Sequence, residues 1–337
     1  MTEAMTFKFK FLDSDGNEDS FLSKAGALSP EGLVLGEENL PVEAVQRATL
    51  HNRRFILMEL YGGGEGRTHV GLSVTKGAAA DLVKALNALA SARQAKNHRA
   101  QLEEAGKGAL FRFARCPHCR ATVNLSEVPA GEQTACGYCD RLFSPEHRAP
   151  DGEGDFCLCD QCGYYGRVFP RTVFYFYFLF VLWGYQSEEW SACSTCMRKK
   201  AGWMVLANLL FLIGLPNALY QYFRSVRAIE FDRSDFMGLE KANGLVKSDK
   251  LDEAVAYYQR LTRSLPLAAG VYYNQGRAMM EKGQAQAAVE PLETALTQCG
   301  NFYPAYHLLA ECYETLGQDQ KRAELHKRYG VESTSEG

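Results

Sequence analysis

Eight of the eleven cysteines in this 337-residue chain fall into four C-x-x-C pairs: Cys116/Cys119, Cys136/Cys139, Cys159/Cys162 and Cys193/Cys196. Paired thiols at that spacing hold a tetrahedral metal ion, and two pairs close one Zn²⁺ site. The four pairs therefore predict two structural zinc sites, one from Cys116, Cys119, Cys136 and Cys139 and one from Cys159, Cys162, Cys193 and Cys196. A site closed by four thiolates has no open coordination position, so its expected role is architecture rather than catalysis. His118, inside the first knuckle, offers a substitute ligand, but four thiols already complete that site and an exposed imidazole fits better. Cys157 is a surplus thiol able to replace one of its neighbours in the second site. The same spacing in oxidoreductases carries a low-pKa thiolate, and four mutually spaced pairs favour metal over that redox alternative.

Nothing else in the chain has the pattern of a reactive centre. No G-x-x-x-x-G-K-[ST] run and no H-E-x-x-H occurs, and Ser, His and Asp form no local signature. The glycine-rich residues 62–66 read as a hairpin loop, because no helix start follows directly. The chain is therefore read as non-enzymatic. Its length implies two or three domains, and 46% hydrophobic with 23% charged residues marks ordered globular material. A net charge of -3 gives no overall electrostatic case for nucleic acid. The opening alternates Phe and Lys from Phe7 to Phe11, so no secretory leader is expected. Cysteines without such a leader imply a reducing, cytoplasmic setting, with thiolate ligands preferred to disulfides.

The expected frame is a multidomain α+β chain. Residues 1–105 read as a small β domain with a closing helix. Phe7, Phe9 and Phe11 share one face of a strand, residues 33–35, 55–60 and 69–74 are of strand length, and a helix from about 78 to 99 stripes Leu82, Leu86 and Leu89 beside Val83 and Ala90. The wording SPEGLVLGEENLPVEAV resembles bacterial pleckstrin-homology-like domains, which implies small twisted strands closed by one C-terminal helix. Residues 110–145 form the first cysteine module, with sixteen residues between its pairs, enough for a hairpin that returns the second knuckle to the first. CPHCRATVNLSEVPAGEQTACGYCDRLF is similar to the zinc-ribbon group, in which two knuckles share one zinc. Pro117 and Gly137 suit the knuckle turns. Arg112, Arg115, Arg120 and Arg141 surround this module and carry the alternative of a nucleic-acid-binding ribbon; without an aromatic platform they read as a solvated surface.

A charged linker, SPEHRAPDGEGD, leads to the second module, residues 155–230. Within it, residues 173–185 (VFYFYFLFVLWGY) fall short of the roughly 20 needed to cross a bilayer. Phe174, Phe176, Phe178 and Phe180 alternate with Tyr175 and Tyr177, which predicts a strand. Residues 203–223 are long enough to cross, but Gly214 and Pro216 invite a break. If the first stretch crossed a membrane, Cys162 and Cys193 would lie on opposite faces and could share no metal, so the second quartet requires a hairpin. Trp183, Trp190 and Trp203 suit an interface. The expectation is a chain at the cytoplasmic face of a membrane, or embedded through 173–185 and 203–223, weighed against a plainer soluble module whose apolar segments form its core.

Residues 235–330 repeat with a period of 34. Ala242, Gly276 and Ala310 come into register, as do Asp249, Gly283 and Gly317 at the turn, Ala254 and Ala288 in the second helix, and Tyr272 with Tyr306. The segment resembles tetratricopeptide repeats, which implies an α-solenoid of about three helix pairs. In the third pair Arg322 replaces the small residue, which suits a capping helix with a polar outer face. The resemblance implies a concave groove for a protein or peptide partner, with Tyr272, Tyr273, Asn274, Tyr306 and His307 as candidate groove residues. Together these features predict an adaptor or scaffold with structural zinc sites.

Overall fold

The computed structural model describes residues 4–51, 53–61, 68–144, 155–179, 182–208, 215–230, 236–265 and 267–330. The expected loop at 62–66, most of the linker after Ser144, Phe180 and the middle of the 203–223 stretch lie outside the described residues. The chain divides into two compact units, Met1–Ser126 with Cys136–Cys139, and Glu127–Ala135 with Asp140–Gly337. It is a mixed α+β chain, with a curled antiparallel sheet in its N-terminal part and helices in its C-terminal part.

In the first unit the strands are β1 (Met5–Leu12), β2 (Lys24–Leu28), β3 (Leu33–Leu35), β4 (Glu38–Leu40), β5 (Val45–His51), β6 (Phe55–Leu60) and β7 (Thr68–Lys76). They form one antiparallel sheet in the order β4-β3-β2-β1-β7-β6-β5. The period-two pattern of β1 buries Phe7 and Phe9. Gly26 on β2 sits under the Phe7 ring, where a Cβ would come within 2.5 Å of it. The closing helix α1 (Ala79–Glu104) is longer than the expected 78–99 and buries Leu82, Val83, Leu86 and Ala90 against the sheet. Asn87 fixes this packing. The Ala48 amide donates to its Oδ1 at 2.8 Å, and its Nδ2 donates to the Ala48 carbonyl at 2.8 Å, all buried. A short hairpin, β8 (Phe113–Arg115) and β9 (Thr122–Asn124), follows; the Thr122 amide donates to Ser91 Oγ on α1 at 2.8 Å.

The second unit opens with two short strands, β10 (Thr134–Ala135) and β11 (Leu142–Phe143). A three-stranded sheet follows: β12 (Asp155–Leu158), β13 (Tyr165–Leu179) and β14 (Leu182–Cys193). The predicted strand at 173–185 is therefore two paired strands, in register from Val168 opposite Cys193 to Leu179 opposite Leu182. The 203–223 stretch contributes to two described helices, α2 (Ser194–Asn208) and α3 (Leu215–Glu230), with Pro216 at the described start of α3. Among the described residues no helix is long and apolar enough to cross a membrane.

Six further helices complete the unit: α4 (Leu239–Lys247), α5 (Leu251–Ser264), α6 (Ala269–Glu281), α7 (Ala285–Gln298), α8 (Tyr303–Thr315) and α9 (Asp319–Arg328). The turns inside the three helix pairs place Asp249, Gly283 and Gly317, the residues 34 apart in sequence, at φ of 63°, 71° and 64°. Gly takes that left-handed conformation freely and Asp tolerates it. Ala242, Ala254 and Ala288 are fully buried where helices approach closely. Arg322 instead pairs with Glu314 and Asp319 at 3.2 and 3.1 Å. The helical core is not purely helical: Phe156 and Tyr165 of the sheet, and Tyr164 just before β13, are buried within it.

Asn87 is the grip between helix and sheet in the first unit. Asn87→Ala strands two buried backbone groups of Ala48, and should lower that unit's stability by about 2–4 kcal/mol. Denaturant unfolding followed by far-UV circular dichroism checks this; a loss under about 0.5 kcal/mol would show that the amide pair contributes little.

Candidate metal centres

The first centre is built on two backbone turns. Cys116 and Cys119 lie between β8 and β9, Cys136 and Cys139 between β10 and β11. In the first knuckle the Cys116 amide donates to the Ala121 carbonyl at 2.9 Å and the Arg120 amide to the Cys116 carbonyl at 3.0 Å. The residue after each knuckle turns left-handed, Arg120 at φ 64° and Asp140 at φ 57°. The chain thereby reverses around the sulfurs and aims both at one point. Cys116 and Cys139 Sγ lie 3.7 Å apart, Cys119 and Cys136 Sγ 3.5 Å apart. A tetrahedron with metal–sulfur bonds of about 2.3 Å has an edge of about 3.8 Å, so the sulfurs stand where a tetrahedral ion needs them.

The second centre reuses one such turn and replaces the other. Around Cys159 and Cys162 the pattern repeats: the Cys159 amide donates to the Tyr164 carbonyl at 3.0 Å, the Gly163 amide to the Cys159 carbonyl at 2.7 Å, and Gly163 takes φ 67°. The other two ligands come from the end of β14 and the first turn of α2. Cys193 is brought back by the β13–β14 ladder, and its amide donates to Cys159 Sγ at 3.3 Å. Cys162 and Cys193 Sγ are 3.9 Å apart. In each quartet the four sulfurs lie within 4.8 Å of one another, and both sets fit one tetrahedral ion. All eleven cysteines are free thiols.

Crowded thiols share protons unequally. Hydrogen bonds from Cys119, Cys136 and Cys139 push the Cys116 thiol down, and those from Cys162, Cys193 and Cys196 do the same to Cys159. Cys116, Cys119 and Cys136 push Cys139 up, and Cys159, Cys162 and Cys196 push Cys193 up. At Cys196 the Cys159 thiol raises the pKa, but Cys162, Cys193 and the charge of Lys247 outweigh it and bring the group to about 7. Lys247, at the end of α4, points its Nζ at Cys196 Sγ from 3.1 Å and at Cys193 Sγ from 3.8 Å. A four-thiolate site carries excess negative charge, and this ammonium offsets part of it. Burial works against the charged lysine, but the thiolates of Cys193, Cys162 and Cys196 win and raise its pKa. Glu240, two turns earlier on the same face of α4, is buried, and its carboxyl oxygens make no well-formed hydrogen bond. Burial lifts it from its ordinary 4.5 to about 8, opposed by the Lys247 charge.

The eight predicted ligands are thus brought together as two sets of four, and neither Cys157 nor His118 joins either. The candidate groove residues fare differently. Asn274 is fully buried: the Tyr165 amide donates to its Oδ1 at 2.7 Å and its Nδ2 donates to the Tyr165 carbonyl at 2.6 Å. Tyr273 packs edge-on against Phe302 and accepts from Arg277 at its hydroxyl. The Tyr306 hydroxyl meets His326 Nδ1 at 2.6 Å. Tyr272 is half-buried and His307 exposed. Sequence reasoning missed Asn243 and Tyr258, which complete the grip on Tyr165. Asn243 Nδ2 donates to the Tyr165 carbonyl at 3.0 Å, while Asn243 Oδ1 accepts from Tyr258 at 2.8 Å and from Asn274 at 3.0 Å. Gly270 on α6 admits the Tyr165 ring, which a Cβ would meet at 2.3 Å. No protein-family model matches this chain, and no curated protein is similar to it at a significant level.

Elemental analysis of the reduced protein should find two metal ions per chain. Cys116→Ser with Cys119→Ser should leave one, as should Cys159→Ser with Cys162→Ser; two ions retained in either variant would remove that quartet. Glu240 supplies a pH test. Its folded pKa lies above its unfolded value, so the folded chain holds a proton between about pH 4.5 and 8 that the unfolded chain has lost, and its contribution to stability falls as pH rises through that window. Glu240→Gln should flatten this decline, worth on the order of a few kcal/mol, in thermal melts of the metal-loaded protein; parallel pH profiles for variant and wild type would show the carboxyl ionised or solvated.

Proposed function

We propose that the chain is a non-enzymatic scaffold at a membrane surface, in which two zinc ions hold the cysteine modules and tetratricopeptide-type helix pairs carry a protein partner. The observation that carries this reading is the closure of both quartets. Four sulfurs per site leave zinc no position for water or substrate, so Cys116, Cys119, Cys136 and Cys139, and Cys159, Cys162, Cys193 and Cys196, would hold ions that stabilise folds and supply no Lewis-acid step. Thiolate sets favour zinc over hard cations.

Support for the repeat reading comes from the 34-residue register of the left-handed turn residues and the buried small residues. These helices also bind extended backbone: Asn243 and Asn274 hold both main-chain polar groups of Tyr165. Because the chain's own strand fills that grip, the partner surface is assigned to groups left outside it, Tyr272, His307 and the half-exposed Tyr303. The membrane part of the reading rests on the charge-free runs 172–187 and 201–223 and on the aromatic side chains exposed along α2 and α3.

A photo-crosslinking amino acid placed at Tyr272, and separately at Tyr303, should give the same discrete protein adduct in host extract, and one placed at the exposed Arg263 on α5 should not. Zinc content by mass spectrometry should remain two per chain. Zinc-loaded protein that crosslinks to nothing from either position, or that binds RNA with salt-dependent affinity, would count against the scaffold reading.

A further inference from the structure

The α2–α3 pair leaves a set of apolar side chains uncovered. Trp203 and Leu206 on α2 are 66% and 60% exposed, and Leu219, Tyr220 and Phe223 on α3 are 38%, 59% and 61% exposed. Their spacing is helical: Lys199, Trp203 and Leu206 follow one stripe, and Pro216, Tyr220, Phe223 and Arg227 another. The opposite side of each helix is spoken for, since Met197, Ala201 and Met204 of α2 and Ala218 of α3 are buried around Cys159 and Cys193. The exposed apolar groups are therefore surplus to the core of the module.

The charges say what the surplus face meets. A helix that docks along another protein is apolar along its length and charged across its width. Here the polarity changes along the axis. Exposed Arg198 and Lys199 stand in the first turns of α2, beside the metal centre, and exposed Arg227 near the end of α3; Lys200 and Arg224 lie at the same two ends. From Ala201 to Phe223 no residue is charged. Met204, late in α2, and Ala218, in the first turn of α3, share one small core, so the two helices form a hairpin whose cations gather at one end. Trp203, Tyr220 and Phe223 come next along the hairpin, and Leu206, Pro216 and Leu219 lie furthest from the cations. Cations, then aromatic rings, then aliphatic groups is the order of a bilayer interface read from headgroup to acyl chain. At about 22 Å, a 15-residue helix is too short to cross a hydrocarbon core of about 30 Å.

We propose that the α2–α3 hairpin is a monotopic anchor, whose aromatic and aliphatic end enters the interfacial layer of an anionic bilayer while Arg198, Lys199 and Arg227 sit among the headgroups. This rests on the membrane-surface reading above and assigns it to one element. The β13–β14 arm shares the same metal-held base and is also free of charge from Thr172 to Ser187, so it is the rival element within that reading.

The test uses the full zinc-loaded chain and flotation with vesicles of phosphatidylcholine alone or mixed with phosphatidylglycerol. The wild type should float with the mixed vesicles, with a blue shift in tryptophan emission that Trp203→Phe reduces. Trp203→Glu with Phe223→Glu should weaken binding roughly tenfold or more, since each places a charge at interfacial depth. Arg198→Glu with Lys199→Glu should remove the preference for anionic vesicles. Each variant must keep two zinc per chain, which shows that the module is folded. If the Trp203/Phe223 variant binds as the wild type does but Phe176→Glu with Phe178→Glu does not, the β arm is the anchor: this inference falls and the membrane reading stands. If folded wild type binds neither vesicle, both fall. If a crosslinker at Trp203 captures a protein while vesicles are ignored, the face is a protein-docking surface and the anchor is overturned.

Discussion

A strand that leaves its ladder to lie against helices must still find partners for its backbone N–H and C=O, and this chain meets that constraint with one chemical group used three times. Asn87 closes both polar groups of Ala48, Asn274 those of Tyr165, and Asn301 those of Ala135, with every distance between 2.6 and 2.8 Å. A primary amide carries an acceptor and a donor side by side, so it stands in for the neighbouring strand that is missing. Aspartate at the same place would offer acceptors only, and alanine neither. Leaving such groups unpaired in the interior costs more than a made bond gains, so these contacts specify where the strands sit more than they add to stability.

In the second unit the amide grip and the metal centre depend on each other. Tyr165 lies three residues beyond Cys162, so the backbone that Asn243 and Asn274 hold is continuous with the knuckle. Further along β13, Val168 pairs with Cys193. A slip of one residue between β13 and β14 would turn Cys193 away from Cys159 and Cys162, because successive strand residues face opposite sides. The metal would thus fix the register of a long aromatic hairpin that has little else to define it, and the asparagines fix that hairpin's base on the helices. Lys247 joins the two systems. It belongs to the same helix as Asn243 and places its ammonium on Cys196 and Cys193.

The pairing of the cysteines was legible because C-x-x-C spacing is local and two turns suffice to read it. The helix pairs were legible because close packing demands small residues at a fixed interval, and the left-handed turns at Asp249, Gly283 and Gly317 demand residues that tolerate them. The second quartet needs the intervening chain to fold back rather than cross, and the antiparallel β13–β14 ladder folds it back. What could not be read was which surface of the helices stays open. Asn274 has the look of a ligand-binding residue, and its amide does hold an extended backbone, but the strand comes from 109 positions earlier in the same chain. Periodicity identifies the gripping residue and carries no information about which strand it will grip. The same holds for Asn243, Tyr258 and Asn301, single polar residues among apolar ones with no spacing rule to mark them. The only available signal was their burial in otherwise small or aromatic surroundings, where an amide is tolerated only if it is paired.

The division of labour around Cys159 and Cys193 explains how a small module can carry so much uncovered apolar surface. Its own core is slight: Val168, Ala192, Met197, Met204 and Ala218 gathered around the cysteines. A module of that size rarely folds on hydrophobic burial alone, and a metal ion held by the quartet would cross-link four points of the chain and supply what the core lacks. Trp203, Leu206, Tyr220 and Phe223 are then free of any structural duty. In a protein that used them as its core they would be buried and charged residues would cover the outside. Here the cations are confined to the end beside the cysteines, and the aromatic groups stand beyond them. A base of four cysteines suits this arrangement, because it gathers the start of α2 beside β13 and β14 and draws on none of the exposed side chains of α2 or α3.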